Sequence, residues 1–220
     1  MSQMVTSPAR VYILSAPSGG GKSSLARALV DSSDQLVTSV SHTTRARRPG
    51  ETDGVDYIFV DRANFEQMIE AGGFLEYARV FDHYYGTSRT AVERCLANGQ
   101  SVILDIDWQG ARLVRHAVVD TVSVYIMPPS ARALVDRLVA RGRDSAEEIM
   151  ARLSEAASEM SHYCEYDHIM INADFTAALV ELRALVLEGM TPTSARGFDI
   201  EALVHCAKNV RLKTSDLASL

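Results

Sequence analysis

Two hydrophobic periods alternate along the chain. Short apolar runs bounded by turn residues read as strands: Val11-Tyr12-Ile13-Leu14, Leu36 to Val40, Tyr57-Ile58-Phe59-Val60, Ser101 to Asp105, 121–126 and 168–171. Between them apolar residues recur at helical spacing. Leu25, Ala28 and Leu29 mark one such face, and Phe65, Met68 and Ile69 another, on a helix from Arg62 to Ala71 that Gly72-Gly73 stops. Further helices are predicted at about 89–97, 109–117, 130–141, 145–161 and 175–188. Ser145 and Glu148 have capping-box spacing. Phe74 to Phe81 alternates like a strand, and Tyr84-Tyr85-Gly86-Thr87 reads as a turn into the next helix. Strands separated by helices predict an α/β fold with a parallel sheet. The short strands from Tyr57 to Phe81 have no long crossover helix on either side and read as a small inserted lobe. From Thr191 onward a Thr-, Ser-, Arg- and Gly-containing linker leads to a short amphipathic helix through Leu203, Val204 and Ala207, to which the sequence gives no role.

Composition narrows the class. In 220 residues, 47% hydrophobic and 23% charged, there is room for one domain with a real core. The net charge of −6 argues against broad nucleic-acid binding, so an anionic ligand must meet a local basic cluster. Cys95, Cys164 and Cys206 fit neither a fully paired disulfide framework nor a zinc spacing, which suits a reducing cytosol. No apolar run approaches the roughly 20 residues that span a bilayer. The first residues, Met1 to Pro8, lack a signal-peptide core. A cytoplasmic location without membrane attachment is the expectation, and the sequence does not decide between monomer and homo-oligomer.

The candidate chemistry begins with Ala16-Pro17-Ser18-Gly19-Gly20-Gly21-Lys22-Ser23-Ser24, which lies between a predicted strand and a predicted helix. Glycines let successive N–H groups converge on one anion, and the helix N-terminus adds partial positive charge there. Lys22 can then reach β- and γ-phosphates, and the Ser23 hydroxyl can sit on Mg²⁺. Ala16 stands where the usual pattern has its first glycine. Asp105, at the end of an apolar strand, is placed to hold the magnesium shell, and Asp107 follows two residues later, on the same side of an extended chain. Arg45, Arg47 and Arg48, in a hydroxyl-rich loop from Ser41 to Gly54, form a second anion trap. Arg137, Arg141, Arg143 and Arg152 flank a glycine-containing connector that could close as a lid over a transferring phosphoryl group.

Together these residues resemble the guanylate kinase family of phosphate-loop nucleoside-monophosphate kinases. The resemblance runs from Tyr12 to about Leu187. It is carried by Ser15 to Ser23, Ser41-His42-Thr43-Thr44-Arg45, Arg48-Pro49-Gly50-Glu51, Tyr84-Tyr85-Gly86-Thr87, Leu104 to Gly110, and Pro128-Pro129-Ser130. It implies a parallel-sheet core (1–40 and 88–190) with a helical lid at about 137–152, a GMP-binding lobe (41–87), and a tail (191–220) outside the pattern. It implies the reaction ATP + GMP → ADP + GDP with Mg²⁺, in purine nucleotide metabolism. On that likeness Ser18, Gly19, Gly20, Gly21, Lys22, Ser23 and Ser24 would bind ATP, with Ser23 and Asp105 at the metal. Arg45, Arg48, Tyr57 and Tyr85 would hold the GMP phosphate. Ser41, Glu76, Thr87 and Asp107 would read guanine, Glu76 by accepting from N1–H and the amine, Thr87 by donating to O6. Lys22, Arg45, Arg137, Arg141 and Arg152 would carry the catalytic charge.

Asn172-Ala173-Asp174 departs from the Asn-Asp-Asp expected of the family, which puts a nucleotide contact from that loop in question. Two alternatives stand beside this reading. One is a phosphopeptide-binding module of the same fold, which would typically have lost the lysine that this chain keeps at position 22. The other is a kinase for a different nucleoside monophosphate, against which Glu76 and Asp107 speak.

Overall fold

The first strand, β1 (Val11–Ser15), is buried at all five positions, as a strand covered on both faces must be. It leads through the glycine-rich loop into α1 (Lys22–Asp31), whose inner face is Leu25, Ala26 and Leu29. The structure, a computed structural model, describes residues 9–80, 82–118, 120–140 and 145–212. It divides into two compact units. One holds the chain up to Ile13 and from Val30 to Val122; the other holds Leu14–Leu29 and the chain from Ser123 onward.

The first unit contains β2 (Leu36–Thr38), β3 (His42–Thr43), β4 (Ile58–Phe59), α2 (Arg62–Glu70), β5 (Phe74–Val80), β6 (His83–Ser88), α3 (Arg89–Ala97), β7 (Ser101–Asp105) and α4 (Trp108–Ala117). Its part of the parallel sheet has the order β2-β7-β1, with Leu36 opposite Ser101 and Thr38 opposite Ile103. A second sheet has the order β4-β3-β6-β5 and is antiparallel except where β3 meets β4. The whole segment expected as a lobe, 41–87, lies inside this unit. Two local readings are corrected. Tyr84 to Thr87 is no turn but most of β6, the second arm of a hairpin with β5. The loop from Ser41 contributes a two-residue strand, β3, stitched to both β4 and β6.

In the second unit the order is β1-β8-β9, with β8 (Thr121–Met127) parallel to β9 (His168–Ile171). Helices α5 (Ala131–Val139), α6 (Ala146–Met160), α7 (Phe175–Glu188) and α8 (Ile200–Asn209) complete it. Leu134, Val135, Leu138, Ile149, Leu153 and Ala156 form a fully packed cluster on α5 and α6. The tail belongs to this structure. Leu203, Val204 and Ala207 of α8 are buried, α8 packs on α5 and α6, and Val210 and Leu212 lie against the same cluster. The linker before it is pinned by Glu181, whose carboxylate accepts from the N–H groups of Thr193 and Ser194. Burial opposes ionisation of Glu181, but hydrogen bonds from the side chains and backbone N–H groups of Ser194 and Thr193 outweigh it and hold its pKa below the ordinary value.

Helices α2 to α8 each start after a Ser or Asp whose side chain accepts from the backbone N–H three residues on: Asp61, Ser88, Asp107, Ser130, Ser145, Asp174 and Asp199. Ser145 and Glu148 complete the predicted capping box. Helix α1 starts differently, at Lys22, directly out of the glycine-rich loop. Among the described residues no helix is long and apolar enough to cross a membrane.

Candidate active site

The second unit builds an anion pocket from backbone. Gly19 and Gly21 have φ of 85° and 90°, the left-handed region that glycine alone enters cheaply. At Gly20 the constraint is space: a Cβ there would lie 2.8 Å from the Ala16 Cβ and 2.9 Å from the Pro17 carbonyl oxygen, which accepts the Gly20 N–H at 2.8 Å. Ala16 is therefore tolerated at the usual glycine position because Gly20 gives it room. The resulting pocket, about 240 Å³, is lined by residues 16–24 and by Glu159. It opens at the N-terminus of α1, whose first turn carries no acidic residue, so the helix dipole favours an anion there.

Four side chains distant in sequence hold this loop. Asn172, buried, donates from Nδ2 to the Gly20 carbonyl at 2.9 Å. A Cβ on Gly21 would meet that same nitrogen at 2.6 Å, so Asn172 and Gly21 need one another. Arg137 on α5 donates to the Asn172 carbonyl at 2.6 Å and to the Gly20 carbonyl at 3.5 Å, and its burial lowers its pKa from the usual arginine value. Arg152 on α6 donates through Nε and Nη2 to the Ser18 hydroxyl at 3.1 and 3.0 Å. Thus Ser18, Gly19, Gly20, Gly21, Lys22, Ser23, Ser24, Arg137 and Arg152 come together as expected; Arg141 lies outside the described residues. The 172–174 segment, which the sequence left in question, reaches the loop through Asn172 and caps α7 through Asp174. Glu159, which accepts the Ser18 N–H at 2.9 Å, was not foreseen.

The first unit builds a second polar cluster. Arg45 donates to Glu51 at 2.6 Å and to the Ala46 carbonyl at 2.8 Å, and its guanidinium lies 5.4 Å from the Tyr57 ring centre. The Tyr57 and Tyr85 rings are edge to face at 5.9 Å. Hydrogen bonding to Glu51, then Tyr85, holds the Arg45 pKa above its ordinary value. The reciprocal bond from Arg45, with the Arg48 N–H at 2.7 Å, depresses that of Glu51. Burial raises the Tyr57 pKa and the Asp105 charge pushes the same way, so Asp105 lies within electrostatic reach of this cluster. The Arg48 side chain is exposed; its backbone N–H bonds Glu51, and its charge adds to the depression of the Glu51 pKa. Glu51, which the sequence marked only as part of the Arg48-Pro49-Gly50-Glu51 run, organises this cluster.

A buried carboxylate lies in the same unit. Glu76 on β5 is 8% exposed, and the Thr87 hydroxyl donates to its Oε1 at 2.5 Å. Simple alternation would bury only every second residue of β5, but a register shift between Phe74 and Glu76 leaves Phe74, Leu75 and Glu76 all buried. Gly110 on α4 completes the place: a Cβ there would lie 3.3 Å from Glu76 Oε2 and 3.5 Å from Asp107 Oδ1. Asp107 Oδ1 also caps α4 by accepting the Gly110 N–H at 2.8 Å. Glu76, Thr87 and Asp107 are thus gathered at one point. Ser41 is half-buried at the start of β3, and its carbonyl accepts the Ile58 N–H.

Among the described residues no group of three or more His, Cys, Asp or Glu side chains is placed to hold a metal ion. The Ser23 hydroxyl, exposed at the pocket, is a hard oxygen of the kind magnesium takes alongside phosphates and water.

A glycine-rich anion pocket at a helix N-terminus, on a parallel α/β sheet and gripped by two arginines, defines a nucleotide-binding protein. The family model described as "Guanylate kinase" matches residues 8–188. A curated guanylate kinase of Chromohalobacter salexigens is 58% identical over 176 residues, covering 80% of this chain and 82% of the relative. One of Methylococcus capsulatus is 56% identical over 176 residues, covering 80% and 86%. The crystal structure of guanylate kinase from Anaplasma phagocytophilum superposes with a TM-score of 0.66 at 32% identity, covering 93% of this chain and 98% of that one. The chain belongs to the guanylate kinase family.

Proposed function

We propose that the chain transfers the γ-phosphoryl group of ATP to GMP, giving ADP and GDP, with the donor bound in the second unit and the acceptor in the first. Phosphoryl transfer asks a protein for positioning and charge neutralisation rather than for a side-chain nucleophile. On this reading the loop amides and Lys22 take the donor phosphates, and Arg137 and Arg152 add charge from α5 and α6. Arg45, Arg48, Tyr57 and Tyr85 take the acceptor phosphate. Ser23, at the donor pocket, would stand in the shell of a nucleotide-bound Mg²⁺, which would supply further neutralisation; the family resemblance assigns Asp105 to that shell as well. The residue roles are those the family resemblance implies at these positions, and membership of the family supports the reaction.

The observation that carries acceptor choice is the buried Glu76–Thr87 pair. Thr87 spends its proton on Oε1, so its part is to orient the carboxylate, and the expected donation to O6 gives way to that role. On this reading guanine meets Glu76 at Oε2, the oxygen on the Gly110 side, 3.3 Å from where a Cβ on that glycine would stand. A carboxylate accepts from the N1–H and amine of guanine and repels the N1 lone pair of adenine. Cys95, Cys164 and Cys206 are free thiols, which suits a reducing compartment, and we assign the reaction to the cytoplasmic purine nucleotide pool. The test is ADP release from ATP coupled to NADH oxidation, with GMP, AMP, dTMP and UMP as acceptors. GMP should exceed each of the others by at least a hundredfold in kcat/KM; a comparable rate with AMP would reject the guanine reader.

A further inference from the structure

The glycine run has a mechanical weakness. Gly19, Gly20 and Gly21 carry no side chain by which the fold could hold them, and glycine loses more backbone entropy on ordering than any other residue. The loop must be anchored from outside, at its carbonyls or at the last side chain before the run. Asn172 and Arg137 do the first, at the Gly20 carbonyl. Ser18 is the second anchor, and helix α6 holds it twice. Its N–H donates to Glu159 Oε2 at 2.9 Å, and its hydroxyl accepts from Arg152 at 3.0 and 3.1 Å. Arg152 and Glu159 are seven residues apart, about two helical turns, so both issue from one face of α6.

Glu159 is also a carboxylate lining a pocket suited to anions, where its charge opposes a bound triphosphate. Its charge reaches the buried Tyr125 hydroxyl, whose pKa is raised by burial first and by Glu159 second. A repulsive charge beside the pocket needs an offsetting use, and the bond to the Ser18 amide supplies one.

We propose that Glu159 is a positioning residue for ATP: with Arg152 it fixes Ser18 so that the glycine loop is already curled when nucleotide arrives. This rests on the assignment of that pocket to ATP. What the loop needs from Glu159 is an acceptor at Ser18 N–H, and the negative charge itself is dispensable. Glu159→Ala removes the acceptor and should weaken ATP binding by about tenfold or more, the range of a hydrogen bond to a charged group. Glu159→Gln keeps an oxygen for Ser18 N–H while relieving repulsion, and should restore affinity to within about threefold of the unaltered protein.

The test measures ATP and GMP affinities separately, by isothermal titration calorimetry, on the full chain and both variants. ATP affinity lost in Glu159→Ala, recovered in Glu159→Gln, with GMP affinity within about twofold throughout, is the predicted pattern. Equal losses for both nucleotides, no loss for ATP, or no recovery in Glu159→Gln would each overturn it. Failure of the unaltered chain to bind ATP would instead strike the pocket assignment. Should Glu159→Ala fail to fold, NMR hydrogen exchange decides: without nucleotide the Ser18 amide should be protected in the unaltered chain and stay protected in Glu159→Gln. A Ser18 amide that exchanges freely without nucleotide in the unaltered chain would overturn the proposal.

Discussion

Glu76→Gln is the sharpest probe of how the acceptor base is read, and the structure constrains its outcome. The side chain is 8% exposed, so a replacement amide has little freedom. With its oxygen towards Thr87, it preserves the 2.5 Å bond and turns its NH₂ towards the Gly110 side, against the donors of guanine. Flipped, it offers guanine an oxygen, but the Thr87 proton loses its acceptor in a site where Thr87 is 1% exposed. Either way at least one hydrogen bond to a charged group is lost, about 1.5–3 kcal/mol. That corresponds to roughly tenfold to a hundredfold in kcat/KM for GMP. ATP affinity should be unchanged, and discrimination against AMP should narrow through loss on GMP. The competing idea of a structural glutamate paired with Arg79 is already weakened, because Arg79 is exposed and pairs with Asp82 at 3.1 Å. The assay is coupled ADP release with GMP and AMP, with the melting temperature measured on the same sample. A lowered melting temperature with unchanged nucleotide preference would refute the reasoning.

Three further outcomes follow from the same structure. Lys22→Met, which keeps side-chain length without the charge, should lower kcat about 10²–10³-fold while leaving GMP affinity intact; near-normal turnover would remove Lys22 from the transfer step. Leu203→Ala empties a buried position of α8 against α5 and α6, and should cost about 2–5 kcal/mol in denaturant unfolding; a loss below about 0.5 kcal/mol would mean the tail is not packed there. His42 is buried, with its ring edge to face on Phe74 and its pKa lowered by burial from about 6.5. Its unfolded form therefore takes up a proton first, so its contribution is complete above pH 6.5 and is lost as acid carries the solution through the depressed folded value. Melting temperature should fall over that window, and His42→Gln should flatten the slope; an unaltered slope would assign it to other groups.

What was legible in the sequence is what depends on short range. The periods of β1, β7, β8 and β9 and of the long helices set their positions, and the caps Ser145 and Asp174 sit where their helix signals start. The glycine loop was legible because its geometry and its composition have one cause. Long-range holding was not. Glu159 reaches the loop across 141 positions and nothing in its neighbourhood signals it, while Asn172, 152 positions away, was marked only through the family resemblance. Glu51 stood only as a member of the Arg48-Pro49-Gly50-Glu51 run, yet it clamps Arg45. Tyr84 to Thr87 read as a turn because of Gly86, whose real constraint is contact: a Cβ there would meet Phe74 at 2.9 Å and Phe65 at 3.0 Å. The tail gave a helix but no partner, since the apolar face that receives it is assembled only when α5 meets α6.

The central claim is a transfer between two nucleotides, and ³¹P NMR observes both sides of it at once. Purified chain with ATP, GMP and Mg²⁺ should give ADP and GDP in equal amounts, approaching an equilibrium that can be run backwards from ADP and GDP. Formation of ADP with inorganic phosphate while the GMP resonance stays undiminished would contradict the account, since that is hydrolysis and leaves the acceptor cluster of the first unit without a role.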